Sequence, residues 1–186
     1  MAVGLFIARV MLGIAMGAHG VQKAFGWFGG TGLKATSNYF EWLGYRPGAL
    51  FAVLAGIAEL TSCLLLLLGF LGPLGPALVL VVMLVIAGIF VNNGFFAQHK
   101  GYELSFMYMA CAVAVAFGGY GGWSLDHLFG IDKAISPAIV WAALGVGTAV
   151  GLVNVSLRRA EKPAHATTDS SASHGRTDSK AGSKAQ

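Results

Sequence analysis

An all-α, polytopic bundle of transmembrane helices is the fold this sequence predicts, and three observations predict it. Of the 186 residues, 56% are hydrophobic and only 11% charged, a balance outside the range of ordinary soluble domains. The apolar residues gather into five long runs, and a membrane-spanning helix needs roughly 20 of them in succession. The connections are rich in glycine and aromatic residues, and aromatic rings favour the headgroup layer. Inside a bilayer only helices or closed barrels satisfy the backbone, and runs of this length specify helices.

The first run, residues 3–24, lacks a basic stretch before its apolar part and is interrupted by Arg9. It is therefore expected to remain as a helix rather than be cleaved as a signal peptide. The long connection after it carries Trp27, Phe28, Tyr39, Phe40, Trp42 and Tyr45, and is expected to be a loop lying against the membrane surface. The second and third runs, 48–70 and 73–91, are separated by Gly69, Gly72 and Pro73, which predict a short turn and an antiparallel hairpin. The fourth run, 102–118, is the shortest. A glycine-rich stretch with Asp126, His127, Asp132 and Lys133 then reads as an outward-facing polar connection before the fifth run, 137–157.

Residues 1–157 thus form one transmembrane helical domain. From 158 to 186 the chain turns to Ser, Ala, Lys, His, Thr and Asp with no aromatic residue, the composition of a disordered polar tail. Small residues let membrane helices approach closely, and Gly13 with Gly17, and Gly147 with Gly151, mark two contact faces.

Charge sets the orientation. With the N-terminus outside, the inner side carries Lys23, Lys34, Arg46, Lys100 and every basic residue from Arg158 on, and the outer side only Lys133. The positive-inside rule then predicts a multi-pass protein with its N-terminus outside and a cytoplasmic tail. The net charge of +4 belongs to these flanks and does not point to nucleic acid. Cys63 and Cys111 lack a CxxC partner and read as small apolar residues. His99, His127, His165 and His174 show no metal-ligand spacing. Gly26 to Gly32 lacks the following Lys and Ser or Thr of a phosphate loop.

The chemistry resides in ionisable residues within the apolar runs, where a charge costs a few kcal/mol or more. At about 100° per residue, Arg9, Gly13, Met16, Gly20 and Lys23 share one arc of the first helix, with His19 at its edge. Glu59 shares its face with Ala52, Ala55, Gly56, Ser62 and Cys63. Antiparallel packing is expected to put Glu59 at a depth between Arg9 and His19, within reach of the guanidinium. Gln22, Lys23 and Glu103 are expected near the same inner interface. The candidate intramembrane site is therefore Arg9, His19, Gln22, Lys23, Glu59 and Glu103. An Arg9–Glu59 ion pair that fixes helix register is one reading; a proton-accessible or quinone-facing site, with His19 and Glu59 exchanging protons, is another; a transport path is the third.

Several motifs together resemble the DoxX family of bacterial membrane proteins. They are Arg9; His19-Gly20, Gln22-Lys23 and Phe25-Gly26-Trp27-Phe28-Gly29-Gly30; Gly56 and Glu59; Asn93-Gly94-Phe95-Phe96; Gly101-Tyr102-Glu103; and Ser124-Leu125-Asp126. The resemblance covers about residues 4–126. It implies a four-helix core, to which this chain adds a fifth helix and the tail. It also implies a place among redox-linked membrane proteins: some relatives are subunits of thiosulfate:quinone oxidoreductase, and others are linked to membrane complexes with superoxide dismutase and a sulfurtransferase. No flavin, haem or iron–sulfur motif is visible, so no intrinsic cofactor is expected and electron transfer would need quinone or a partner subunit. The expected function is a membrane subunit or anchor of a redox or oxidative-stress assembly rather than a stand-alone enzyme. Alternatives are a quinone-reducing oxidoreductase subunit and a small-molecule or proton-coupled transporter.

Overall fold

The structure, a computed structural model, describes residues 2–159; the predicted tail from residue 160 on, with His165 and His174, lies outside the described residues. Seven α-helices follow in order: α1 (Ala2–Phe25), α2 (Gly32–Trp42), α3 (Gly48–Leu68), α4 (Leu74–Phe90), α5 (Glu103–Gly118), α6 (Leu125–Leu128) and α7 (Pro137–Ser156). Four stretches are long and apolar enough to cross a membrane: Val3–Phe25, Gly48–Leu68, Leu74–Asn93 and Pro137–Ser156. The fourth predicted run, α5, has 16 residues, or about 24 Å of helix against a hydrocarbon core of about 30 Å.

α1, α3, α4 and α5 form a closed ring in which each helix packs on the next, and α7 lies outside it against α4. The ring encloses a core of Leu12, Met16, Leu66, Val79, Val82, Met83, Ala112 and Val115. Helices approach closely at both predicted contact faces. A β-carbon on Gly147 would stand 2.7 Å from the Ala77 carbonyl oxygen, and one on Gly151 would stand 2.8 Å from Leu84 Cδ1. Without a hydrophobic force between helices in lipid, such close approach is what holds α7 to α4.

The ends of the helices follow from local chemistry. α3 stops at Leu68, two residues before the end of its apolar run, because Gly69 takes the left-handed conformation (φ 66°) and its amide bonds back to the Leu65 carbonyl. The turn continues through Gly72 and Pro73 into α4, giving the predicted hairpin. α7 opens with Ser136 accepting a hydrogen bond from the Ile139 amide at 3.4 Å, followed by Pro137 in the first turn.

Two connections differ from expectation. The predicted surface loop after α1 contains α2, an amphipathic helix that buries Thr36 and Phe40 and exposes Leu33, Lys34, Tyr39 and Trp42. It packs across the start of α3, where Glu41 Oε1 accepts from the Gly48 amide at 3.2 Å; an isolated aromatic-rich stretch does not reveal this neighbour, which supplies the burial that stabilises so short a helix. The polar connection before α7 is partly buried rather than a free surface loop. Asp126 is 1% exposed and its carboxylate accepts from the Leu71 amide at 2.8 Å and the Gly72 amide at 2.6 Å, tying α6 to the α3–α4 turn. Charge-assisted bonds of this kind offset the cost of burying the carboxylate.

Arg158 and Arg159, assigned from sequence to the start of the tail, are docked. Arg158 Nε donates to the Leu43 carbonyl at 2.8 Å and the Arg159 amide to that of Gly44 at 3.0 Å. These bonds fasten the end of α7 to the α2–α3 corner.

Candidate functional site

Small residues set the register between α1 and α3. β-Carbons built on Gly13, Gly17 and Gly20 would press respectively on Leu66 and Leu67, on Cys63, and on Leu60 and Glu59. This antiparallel ladder carries Arg9 to the far end of α3, where its guanidinium lies against Gly69. Gly69 is roughly 15 Å along the axis from Glu59, at about 1.5 Å rise per residue. The expected Arg9–Glu59 pair is therefore not formed: the offset is nearly three turns, beyond the reach of the guanidinium.

Glu59 instead meets Lys23, which reaches it from one turn beyond Gly20 to form an ion pair with Oε1. Glu59 is 0% exposed, whereas the Lys23 side chain retains 25%, so the pair runs from the bundle interior to its edge. Ser62 Oγ donates to the Glu59 backbone carbonyl at 2.8 Å. Glu59 Oε2 is buried with no hydrogen-bond partner among the described residues, one acceptor left open at the centre of the molecule. His19 is half-buried on the same stretch of α1, within electrostatic range of Glu59. Its ring centroid lies 6.3 Å from that of Tyr108 on α5.

Beside Lys23 lies an apolar slot of about 80 Å³, lined by Phe40, Phe51, Leu54, Ala55, Ala58, Val82, Val85 and Ile86 among others. Among the described residues Lys23 is its only charged lining residue. The arrangement places an ammonium donor at an apolar slot and a buried carboxylate behind it. Such a pair can bind a carbonyl or anionic oxygen and pass a proton inward.

The remaining predicted residues have other work. Gln22 Nε2 donates to the Phe28 carbonyl at 3.3 Å and folds the chain over the end of α1. Glu103 Oε2 accepts from the Ala97 amide at 2.8 Å and closes the α4–α5 connection. Neither joins Lys23 and Glu59, so the polar chain expected from mid-membrane to the surface divides into separate groups.

Arg9 organises the opposite end of the bundle. It is 1% exposed; Nη2 donates to the Trp123 carbonyl at 2.8 Å, and Cζ lies 5.3 Å and 5.2 Å from the Phe6 and Tyr120 ring centroids, within cation–π range. Two buried tyrosines were not anticipated as parts of either end. Tyr120 sits beside Arg9, where burial pushes its phenol above the usual range. Tyr45 packs on Phe40 and Phe51 behind the slot. Both sit in interface-like aromatic stretches, where composition alone does not separate a buried ring from a lipid-facing one. Among the described residues no group of three or more His, Cys, Asp and Glu side chains could hold a metal ion.

No curated protein and no solved structure matches the chain. The model of the DoxX family matches residues 4–93, the segment from the start of α1 through α4 that contains both Arg9 and the Lys23–Glu59 pair. The motifs at 101–103 and 124–126 lie beyond it. With its apolar helical bundle and that match, residues 4–93 of this membrane protein form a DoxX-family segment.

Proposed function

We propose that this protein is a multi-pass component of a bacterial inner membrane, N-terminus outside and C-terminus inside, that serves as a membrane subunit or anchor of a redox or oxidative-stress assembly and binds quinone beside Lys23 and Glu59. The observation that carries the reading is the Lys23–Glu59 pair standing at an apolar slot with Glu59 Oε2 unpartnered. The slot suits a lipid-soluble ring, Phe40 and Phe51 supply aromatic faces, and Lys23 supplies a donor for a carbonyl oxygen. Bound quinone would supply a two-electron, two-proton carrier. In this reading Lys23 orients the oxygen, Glu59 holds the exchangeable proton, and His19 stands within electrostatic range of it.

The basic residues Lys23, Lys34, Arg46, Lys100 and Arg158 all fall at the Lys23 end of the bundle by the order of the helices, which supports the orientation. α5 joins the spanning set when the polar ends of the bundle thin the local bilayer around it. The partner is a redox-enzyme subunit of the superoxide dismutase or sulfurtransferase type that DoxX relatives accompany.

The test is purification in native-lipid nanodiscs, extraction of small molecules, and mass spectrometry of quinones and co-purifying proteins, comparing wild type with Glu59→Gln. Stoichiometric quinone that is lost in the variant supports the site. Partners retained in both forms without quinone would reduce the protein to a scaffold in which Lys23–Glu59 is structural.

A further inference from the structure

The buried guanidinium of Arg9 has Asp126 within electrostatic range but no carboxylate bonded to it among the described residues. Nε and Nη1 are both buried without a hydrogen-bond partner among the described residues, and so is the Tyr120 hydroxyl beside them. The nearby carboxylate, Asp126, spends its two oxygens on the Leu71 and Gly72 amides and makes no ion pair with Arg9 among the described residues. Cation–π contacts with Phe6 and Tyr120 offset part of the desolvation cost, yet they satisfy no N–H group. Three buried donor groups, two of them on the guanidinium itself, thus lack an acceptor among the described residues.

The rings that cage Arg9 are also the wall of a cavity. Phe6, Tyr120 and Trp123, with Val3, Gly121 and Gly122, line a space of about 180 Å³ at the end of the bundle where Val3 and Trp123 are exposed. Arg9 itself is absent from the lining: the Phe6 and Tyr120 rings lie between its guanidinium and this space, so entry requires one of them to move. A planar guanidinium fork matches a carboxylate or phosphate edge. We propose that Arg9, assisted by Tyr120, binds a small oxyanionic group, a carboxylate or phosphate, admitted through this cavity. The site is independent of the quinone reading, being at the other end of the molecule.

Such a group arrives either on a free small acid or on a lipid headgroup, and the experiment separates them. The full-length protein is placed in nanodiscs of neutral phosphatidylcholine or of phosphatidylcholine with phosphatidylglycerol. Its thermal unfolding is followed against sodium formate and sodium phosphate at constant ionic strength, for wild type, Arg9→Gln, Tyr120→Phe and Lys133→Ala. A saturable rise in melting temperature with formate or phosphate in neutral discs, kept in Lys133→Ala and abolished in Arg9→Gln, supports a free acid. A rise produced only by the anionic lipid, with the same pattern of variants, supports a headgroup. Tyr120→Phe should weaken half-saturation about tenfold, as expected for one hydrogen bond to a charged group. If Arg9→Gln does not fold, Tyr120→Phe decides. Responses that fail to saturate, or that Tyr120→Phe leaves unchanged, overturn the proposal.

Discussion

Gly17 on α1 faces Cys63 on α3 so closely that a β-carbon on the glycine would stand 2.6 Å from the sulfur. That approach, continued by Gly13 and Gly20, makes the α1–α3 seam rigid in register. It is also why Lys23 rather than Arg9 meets Glu59.

Gly17→Ala should overpack this seam and cost about 1–3 kcal/mol, measured as reversible unfolding in detergent micelles. Cys63→Ala removes the atom in the way, so the same glycine change should cost less than about 0.5 kcal/mol in that background. Additive effects would show that the seam is looser than its geometry implies.

Lys23→Met should destabilise by about 2 kcal/mol. The figure lies below the ~3–5 kcal/mol of a fully buried pair because Lys23 keeps contact with its surroundings outside the bundle. Glu59→Gln added to Lys23→Met should recover most of that loss, since no unpaired charge then remains. A double variant as unstable as the sum of the two singles would deny the ion pair any coupling.

Asp126→Ala should release the α3–α4 turn. Two amides lose a charged acceptor, for a cost of about 2 kcal/mol or more, and hydrogen exchange at Leu71 and Gly72 should accelerate while amides in the middle of α3 keep their protection. Unchanged exchange at these two positions would mean the clamp does not form in the membrane.

The exposed Asp132 accepts a hydrogen bond from His127 Nδ1 at 2.8 Å and another from the Lys133 amide at 2.9 Å. The hydrogen bond from His127 is the main reason its carboxyl is held below the usual aspartate range. A depressed folded-state pKa contributes stability that is present above the unfolded value and lost as pH falls through the folded one. The structure of residues 127–133 should therefore loosen only in acid below the ordinary aspartate range. Carbon-13 NMR of the Asp132 carboxyl should place its midpoint higher in His127→Ala; an unmoved midpoint would remove His127 as the cause.

The helices were legible in the amino-acid sequence because lipid makes their signal simple. A run of about 20 apolar residues has no other stable form in hydrocarbon, so α1, α3, α4 and α7 could be placed within a few residues. α2 was not legible. Its short amphipathic stretch is helical because it has α1 and α3 to pack against, and no local pattern announces those neighbours.

The same division runs through the polar residues. Sequence identified Arg9, Lys23 and Glu59 as exceptional, because ionisable side chains in apolar helices are costly wherever they end up. Which of them meet was a matter of register between two helices far apart in the chain, set by how deeply the Gly13, Gly17 and Gly20 face lets α3 approach. Side-chain periodicity fixes the face a residue occupies but not its height against a neighbouring helix, and a slip of a few residues exchanges one partner for another. Only the packed tertiary structure chose Lys23 for Glu59 and left Arg9 to Tyr120 and Trp123 at the opposite end.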